Sequence, residues 1–270
     1  MVNGKPDAGD GASHRQTPPD PFLLARRDLS NALPRRFYKE AEAREREGQF
    51  VLLLDGRLAK TPGGKPLALP SRAAAGALAA EWQAVDELID PARMPLTRIV
   101  HSATDSVAHN LEATIAEIAK YAGSDLVCYR AGEPEALVLA QSRAWDPVLA
   151  FVGQKLGAHF LCAEGVMFIE QPEPAKAAVR AAVAEVAAGR VLPFALAAVS
   201  VMTTLTGSVL IALAVAHGGM RVEEAWRAAH VDEDFEMAHW GQDAQALERR
   251  TRQWEEMSAA ASLWRLLQDV

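Results

Sequence analysis

One long uncharged segment constrains the fold of this chain more than any other feature. Residues 191–220 contain no Asp, Glu, Lys or Arg, and this length is enough for a membrane span of about 20 residues. Residues that bend or cap helices interrupt the segment, among them Pro193 and Gly207, and the sequence has no second segment of this kind. The pattern predicts a fully buried central helix, or two helices that bend near Thr206-Gly207. A single membrane span is the alternative.

The composition is that of a chain with a large hydrophobic core. At 270 residues it has room for one large domain or two smaller ones. Asp and Glu outnumber Lys and Arg by 35 to 28, a formal net charge of -7, which disfavours nonspecific binding to nucleic acid. Cys128 and Cys162 do not form a CxxC pair, so both are interpreted as buried thiols in a reducing compartment.

Residues 1–33 are predicted to form a disordered leader. They lack the apolar segment of a secretory signal, and their acidic residues and prolines also disfavour a mitochondrial targeting helix. Their apolar surface is too small to offset the entropy lost on ordering. A bacterial cytoplasm is the expected location.

Residues 34–135 predict an α+β domain of short antiparallel strands and helices. Strand-like runs lie on both sides of Asp55-Gly56, a pair that suits the positive φ angles of a tight hairpin. Ser71 is a suitable N-cap for the helix that follows. Residues 93–106 are interpreted as a connector between two helices.

Residues 136–270 predict an all-α domain. Asp146-Pro147 is interpreted as a helix start, because proline is favoured in the first helical turn. Apolar residues spaced three and four apart predict helices over residues 222–240 and about 243–267.

The segment VDEDFEMAHWG, residues 231–241, is the strongest candidate for a functional site. The sequence has no nucleotide-binding loop, HExxH, GxSxG or calcium-loop motif. Glu236 and His239 form a Glu-x-x-His pair, but di-metal bundles need a second copy, which is missing. An enzymatic or metal-binding role for residues 232–239 is therefore only the alternative. Asp232, Asp234 and Glu236 are expected on a solvated face.

Glu233 is unusual if residues 222–240 form one continuous helix. It then falls on an apolar stripe with Trp226, Met237 and Trp240, where an unpaired carboxylate is costly. Three explanations stay open: the stripe is exposed, Glu233 is held for a partner, or it pairs internally. The possible internal partners are Arg221, Arg227, Arg249 and Arg250.

Three sequence blocks resemble those of a known family. DGRLAKTPGGKPLALPSRAAAGALAAEW, then YRAGEP with WDPVLAF, then DEDFEMAHWG occur in this order and at suitable spacing. Together they resemble the assembly chaperones for the α subunit of F1-ATPase, which occur in mitochondria and alphaproteobacteria. The resemblance covers about residues 34–267.

The resemblance implies an ATP-independent chaperone, not an enzyme, that holds a newly made F1 α subunit until it pairs with β. It implies an α+β domain followed by an all-α orthogonal helical bundle, with no cofactor, metal, nucleic acid, small-molecule substrate or membrane insertion. By position it assigns client binding to six residues: Asp232, Glu233, Asp234, Phe235, Glu236 and Trp240. Where the family commonly has Glu, Glu and Gln, this chain has Asp, Asp and Glu at positions 232, 234 and 236. At positions 232 and 234 charge is kept but side-chain reach is not, so which carboxylate carries the interaction is left open.

Overall fold

The computed structural model describes residues 33–165, 167–241 and 243–268. Apart from Leu33, the predicted leader lies outside these ranges. As the sequence predicts, the chain is α+β, with short strands first and helices afterwards. The strands are β1 (Ala41–Arg46), β2 (Gln49–Leu54), β3 (Arg57–Leu58), β4 (Ala68–Leu69), β5 (Tyr129–Arg130) and β6 (Ala163–Glu164). The α-helices are α1 (Arg72–Gln83), α2 (Pro95–Asp105), α3 (Leu111–Lys120), α4 (Glu135–Leu156), α5 (Glu173–Ala184), α6 (Leu192–Thr206), α7 (Val209–Ala216), α8 (Val222–Ala229), α9 (Val231–Trp240) and α10 (Ala244–Leu266).

Strand β2 is the centre of a small antiparallel sheet. It pairs with β1, β3 and β4, and its residues 51–54 are buried. The predicted hairpin joins β2 to β3, with φ angles of 47° at Asp55 and 75° at Gly56. The predicted N-cap is also present, since the Ser71 side chain accepts a hydrogen bond from the Ala74 N–H at 3.2 Å. The sheet and α1 thus form the α+β half of the chain.

Residues 93–106 contain helix α2, so their interpretation as a connector is wrong. Pro95 occupies the first turn, where the missing N–H costs no helical hydrogen bond. Leu96 and Thr97 are buried, and both of their N–H groups donate to the Glu81 carboxylate at 2.8 Å. This carboxylate from α1 satisfies donors that the start of a helix leaves without intrahelical partners.

Helices α6 and α7 confirm the prediction of two buried helices bent near Thr206-Gly207. Gly207 has a φ of 64° and ends α6, a left-handed conformation that glycine adopts without strain. Ser208 then caps α7 by accepting from the Ile211 N–H at 3.0 Å. Residues 189–206 are long and apolar enough to cross a membrane by length and composition, and half of this window is buried inside the protein. The core position of α6, with α2, α3 and α10 packed against it, accounts for its apolar sequence.

Asp125 joins the loop after α3 to the start of α7. Its carboxylate is inaccessible to solvent and accepts from the N–H groups of Val127 at 3.3 Å and Leu210 at 3.1 Å. Burial raises the pKa of Asp125 to about 6, against the opposing effect of these hydrogen bonds. The hydrophobic core also runs without interruption across residue 135. The division into domains 34–135 and 136–270 therefore stays a prediction.

Three further details of the sequence interpretation are corrected. Helix α4 does not start at Asp146-Pro147 but runs through Pro147. The helix predicted over residues 222–240 is interrupted at His230, where φ is -116° and ψ is 20°. Cys128 is buried as expected, and burial raises its pKa to about 12, whereas Cys162 is exposed. The interruption at His230 changes the geometry of the acidic segment.

Candidate functional site

Helix α9 carries the acidic segment and has no buried residue. Its starting point is fixed by an aromatic cluster at His230, which is 7% exposed. The His230 Nδ1–H donates to the Trp226 carbonyl at 2.8 Å, and the two ring centroids are 3.9 Å apart. Trp226 in turn packs on Trp254 of α10, at 5.6 Å between centroids. The cluster sets the corner between α8, α9 and α10.

Asp232 attaches the first turn of α9 to α4. Its carboxylate accepts from Nε2 of Gln141 at 2.7 Å, and Gln141 is only 3% exposed. The amide oxygen of Gln141 accepts from the Ala131 N–H, also at 2.7 Å. Beside this contact, the Trp145 indole N–H donates to the Ala228 carbonyl at the end of α8, at 2.7 Å. Asp232 is therefore part of a buried hydrogen-bond network that positions α9.

Asp234 attaches α9 to α10 instead. Its carboxylate lies 2.5 Å from Nη1 of Arg250, whose side chain is 18% exposed. The aspartates at both ends of Asp232-Glu233-Asp234 thus make contacts within the protein. All three acids also lie in the first turn of α9, where negative charge is favourable beside the exposed N–H groups of a helix start.

Glu233 points away from both of these contacts. Successive residues of a helix are rotated by about 100°, so Glu233, Glu236 and Trp240 share one face of α9, here termed the outer face. All three side chains are exposed, Trp240 to 88%. Neither glutamate forms an ion pair with any described residue; Arg250 pairs with Asp234, and Arg221 pairs with Glu224. Glu233 is therefore exposed, but the apolar stripe assumed for it does not exist, because the helix is interrupted at His230 and Trp226 is buried. Internal pairing of Glu233 is not found among the described residues.

Phe235 and His239 contact each other within α9. Phe235 is half-buried. The Nδ1–H of the His239 side chain donates to the Phe235 carbonyl, one helical turn earlier, at 2.7 Å. The rings of these two residues are 4.3 Å apart. Within the described ranges no three His, Cys, Asp or Glu residues come together as metal ligands. The arrangement suits docking of another polypeptide, with two carboxylates and one indole facing outward.

Sequence reasoning missed the residues that hold α9 in place. Gln141 lies 91 residues before Asp232, and such a contact leaves no periodic pattern. The role of His230 is equally hidden, because it ends a helix without a Gly or Pro signal. Of the six predicted residues, the structure puts Glu233, Glu236 and Trp240 on one exposed face. Asp232 and Asp234 make contacts within the protein.

Comparison with known proteins agrees with this architecture. Residues 35–153 match the family model described as ATP12 chaperone protein. The structure is similar to that of the Atu1473 protein from Agrobacterium tumefaciens, described as a candidate chaperone, with 45% identity, 92% of each chain covered and a TM-score of 0.83. It is also similar to Atp12 from Paracoccus denitrificans, with 38% identity, 86% of this chain and 98% of that chain covered, and a TM-score of 0.78. An aspartate-to-lysine mutant of the P. denitrificans protein gives the same identity and TM-score.

These similarities extend over both the strand-containing and the helical half, and they define a protein of the chaperone class. The chain belongs to the ATP12 chaperone family.

Proposed function

We propose that this protein is an ATP-independent, non-enzymatic chaperone that binds the unassembled α subunit of F1-ATPase in the bacterial cytoplasm and promotes its assembly. Membership of the ATP12 family supports the chaperone class. One observation carries the assignment of the binding surface: α9 has no buried residue, yet internal contacts hold it in place.

The outer face of α9 has the chemistry that an assembly chaperone needs. A ring subunit without its neighbours exposes an apolar interface that must be covered until assembly. Trp240 supplies a large apolar surface, and tryptophan is enriched among residues that dominate binding energy. Glu233 and Glu236 keep this surface soluble and steer a client of complementary charge. We assign client contact to these three residues, with a basic client side chain opposite Glu233.

Two of the other predicted residues, Asp232 and Asp234, act by positioning the helix. They hold α9 to α4 and α10 through Gln141 and Arg250. Replacing either aspartate weakens client binding through movement of α9 rather than through loss of a direct contact. Phe235 packs against His239 of the same helix.

Glu233→Gln tests the proposed contact. The variant is expected to bind purified F1 α subunit about 10-fold more weakly, which corresponds to ~1.4 kcal/mol, with unfolding free energy unchanged within ~0.5 kcal/mol. Titration calorimetry measures binding, and suppression of α-subunit aggregation measures chaperone activity. The matched control is Glu255→Gln on α10, which removes another exposed carboxylate that pairs with no described residue.

Three results would contradict parts of this proposal. Unchanged binding by Glu233→Gln would remove Glu233 from the client surface. A fall in stability of ~3 kcal/mol or more would show that the carboxylate belongs to a buried pair. Failure of the unaltered protein to bind the α subunit or to suppress its aggregation would exclude that subunit as the client.

A further inference from the structure

A groove of about 490 Å³ adjoins α9 between α4 and α8. Most of its lining is apolar or small, and two arginines stand among these residues. We refer to it as the arginine groove, and its principal lining residues are Arg143, Ala144, Pro147, Met220, Arg227 and Val231. Both arginines are exposed.

The uncompensated charge of the arginine groove is positive. Its two acidic lining residues are already paired, Glu224 with Arg221 at 3.4 Å and Asp234 with Arg250 at 2.5 Å. Neither Arg143 nor Arg227 forms an ion pair with a described residue. Guanidinium groups bind carboxylates through paired hydrogen bonds, so the groove offers two such groups beside apolar surface.

We infer that the arginine groove is a second client-binding site, which takes an extended segment carrying an Asp or Glu among apolar residues. The carboxylate would bind Arg143 and Arg227, and the apolar residues would cover Met220 and Val231. This inference rests on the proposed function, because the segment belongs to the same client that contacts the outer face of α9.

The position of the arginine groove beside α9 favours one orientation of the bound client. Val231 and Asp234 of α9 also line it, so the groove is continuous with the helix that carries Glu233 and Glu236. One surface therefore presents uncompensated negative charge and its neighbour presents uncompensated positive charge. Such opposed charges favour one orientation of a partner and disfavour the reverse.

A double variant, Arg143→Gln with Arg227→Gln, tests the groove. It is expected to bind F1 α subunit about 10-fold more weakly than the unaltered protein. The control is Arg57→Gln with Arg265→Gln, which makes the same change in net charge at two exposed arginines outside the groove, and its binding should change less than about twofold. Circular dichroism and thermal unfolding confirm that both variants are folded.

Overlapping peptides of the α subunit identify what the groove recognises. Peptides with an acidic residue among apolar residues should bind the unaltered protein and Glu233→Gln, but not the groove double variant. If the double variant binds both the subunit and these peptides normally, the groove inference is wrong while the proposed function stands. If the unaltered protein does not bind the α subunit, both are wrong. Binding to phosphatidylglycerol vesicles that only the groove variant loses, with unchanged subunit binding, would assign the groove to lipid.

Discussion

Helices α7 and α9, which are separated in sequence by α8, differ in their exposure to solvent. Residues 209–213 of α7 are all 0% exposed, whereas α9 contains no buried residue. Hydrophobic contacts on every side hold α7 in place, while a few polar contacts hold α9, chiefly Asp232 to Gln141 and Asp234 to Arg250. Burial of apolar surface is the main source of folding free energy. Stability therefore comes from the α6–α7 core, and α9 is available for binding.

The largest expected effect comes from a cavity in this core. Leu196→Ala in α6 removes a fully buried side chain, and the lost burial and the resulting cavity should lower the free energy of unfolding by about 3–5 kcal/mol. Denaturant titration followed by circular dichroism measures this change. The control is Leu247→Ala in α10, a side chain 36% exposed. A loss below ~1 kcal/mol at Leu196 would show that the α6–α7 core is not the main source of stability.

The same core contains a carboxylate, Asp125, that contrasts with the exposed acids of α9. Its pKa in the folded protein is about 6, raised by burial from an ordinary value of 3.8. A raised pKa means that the folded state holds the proton more tightly, so the stabilising contribution is complete below pH 3.8 and is lost as pH rises through 6. The loss amounts to about 3 kcal/mol.

Asp125→Asn should therefore remove one pH-dependent component of stability. The difference in unfolding free energy between variant and unaltered protein is expected to shift in favour of the variant by up to about 3 kcal/mol between pH 4 and 7. Denaturant titrations at several pH values measure the shift, and comparison of two proteins cancels the other titrating groups. Glu233→Gln is the control, since that carboxylate is exposed. A parallel pH dependence in both proteins would show that Asp125 does not titrate in this range.

Features fixed by local chemistry could be predicted from the sequence. The hairpin at Asp55-Gly56 needs two residues that tolerate positive φ, and the end of α6 needs Gly207 for the same reason. The uncharged segment 191–220 predicts buried helices, with a membrane span as the alternative, because a long apolar run is stable in either environment. These requirements do not depend on distant parts of the chain.

Features fixed by distant contacts could not be predicted. Strand β1 has the sequence AEARER, which lacks an apolar strand pattern. It forms a strand because it pairs with β2. Helix α2 starts with donors satisfied by Glu81 from another helix. The projection of Glu233 failed because it assumed one helix through His230. The interruption there depends on packing with Trp226 and Trp254.

Trp240→Ala gives the smallest expected effect on stability. The indole is 88% exposed at the end of a helix without buried residues, so its removal should change the unfolding free energy by less than ~0.5 kcal/mol. Binding of F1 α subunit should nevertheless weaken about 10-fold or more, because an exposed tryptophan that becomes buried in a complex contributes strongly to affinity. Titration calorimetry and denaturant unfolding of one preparation measure both quantities.

Trp264→Phe is a matched control for this tryptophan, since Trp264 is 7% exposed and its indole N–H donates to the Ala216 carbonyl at 3.0 Å. It should lower stability by about 1–3 kcal/mol and leave client affinity unchanged. The two substitutions should therefore have opposite effects. Trp240→Ala should weaken client binding and leave stability unchanged, whereas Trp264→Phe should lower stability and leave client binding unchanged. If Trp240→Ala instead destabilises the protein as much as Trp264→Phe does, α9 contributes to the folded core and its outer face is not a surface kept for a client.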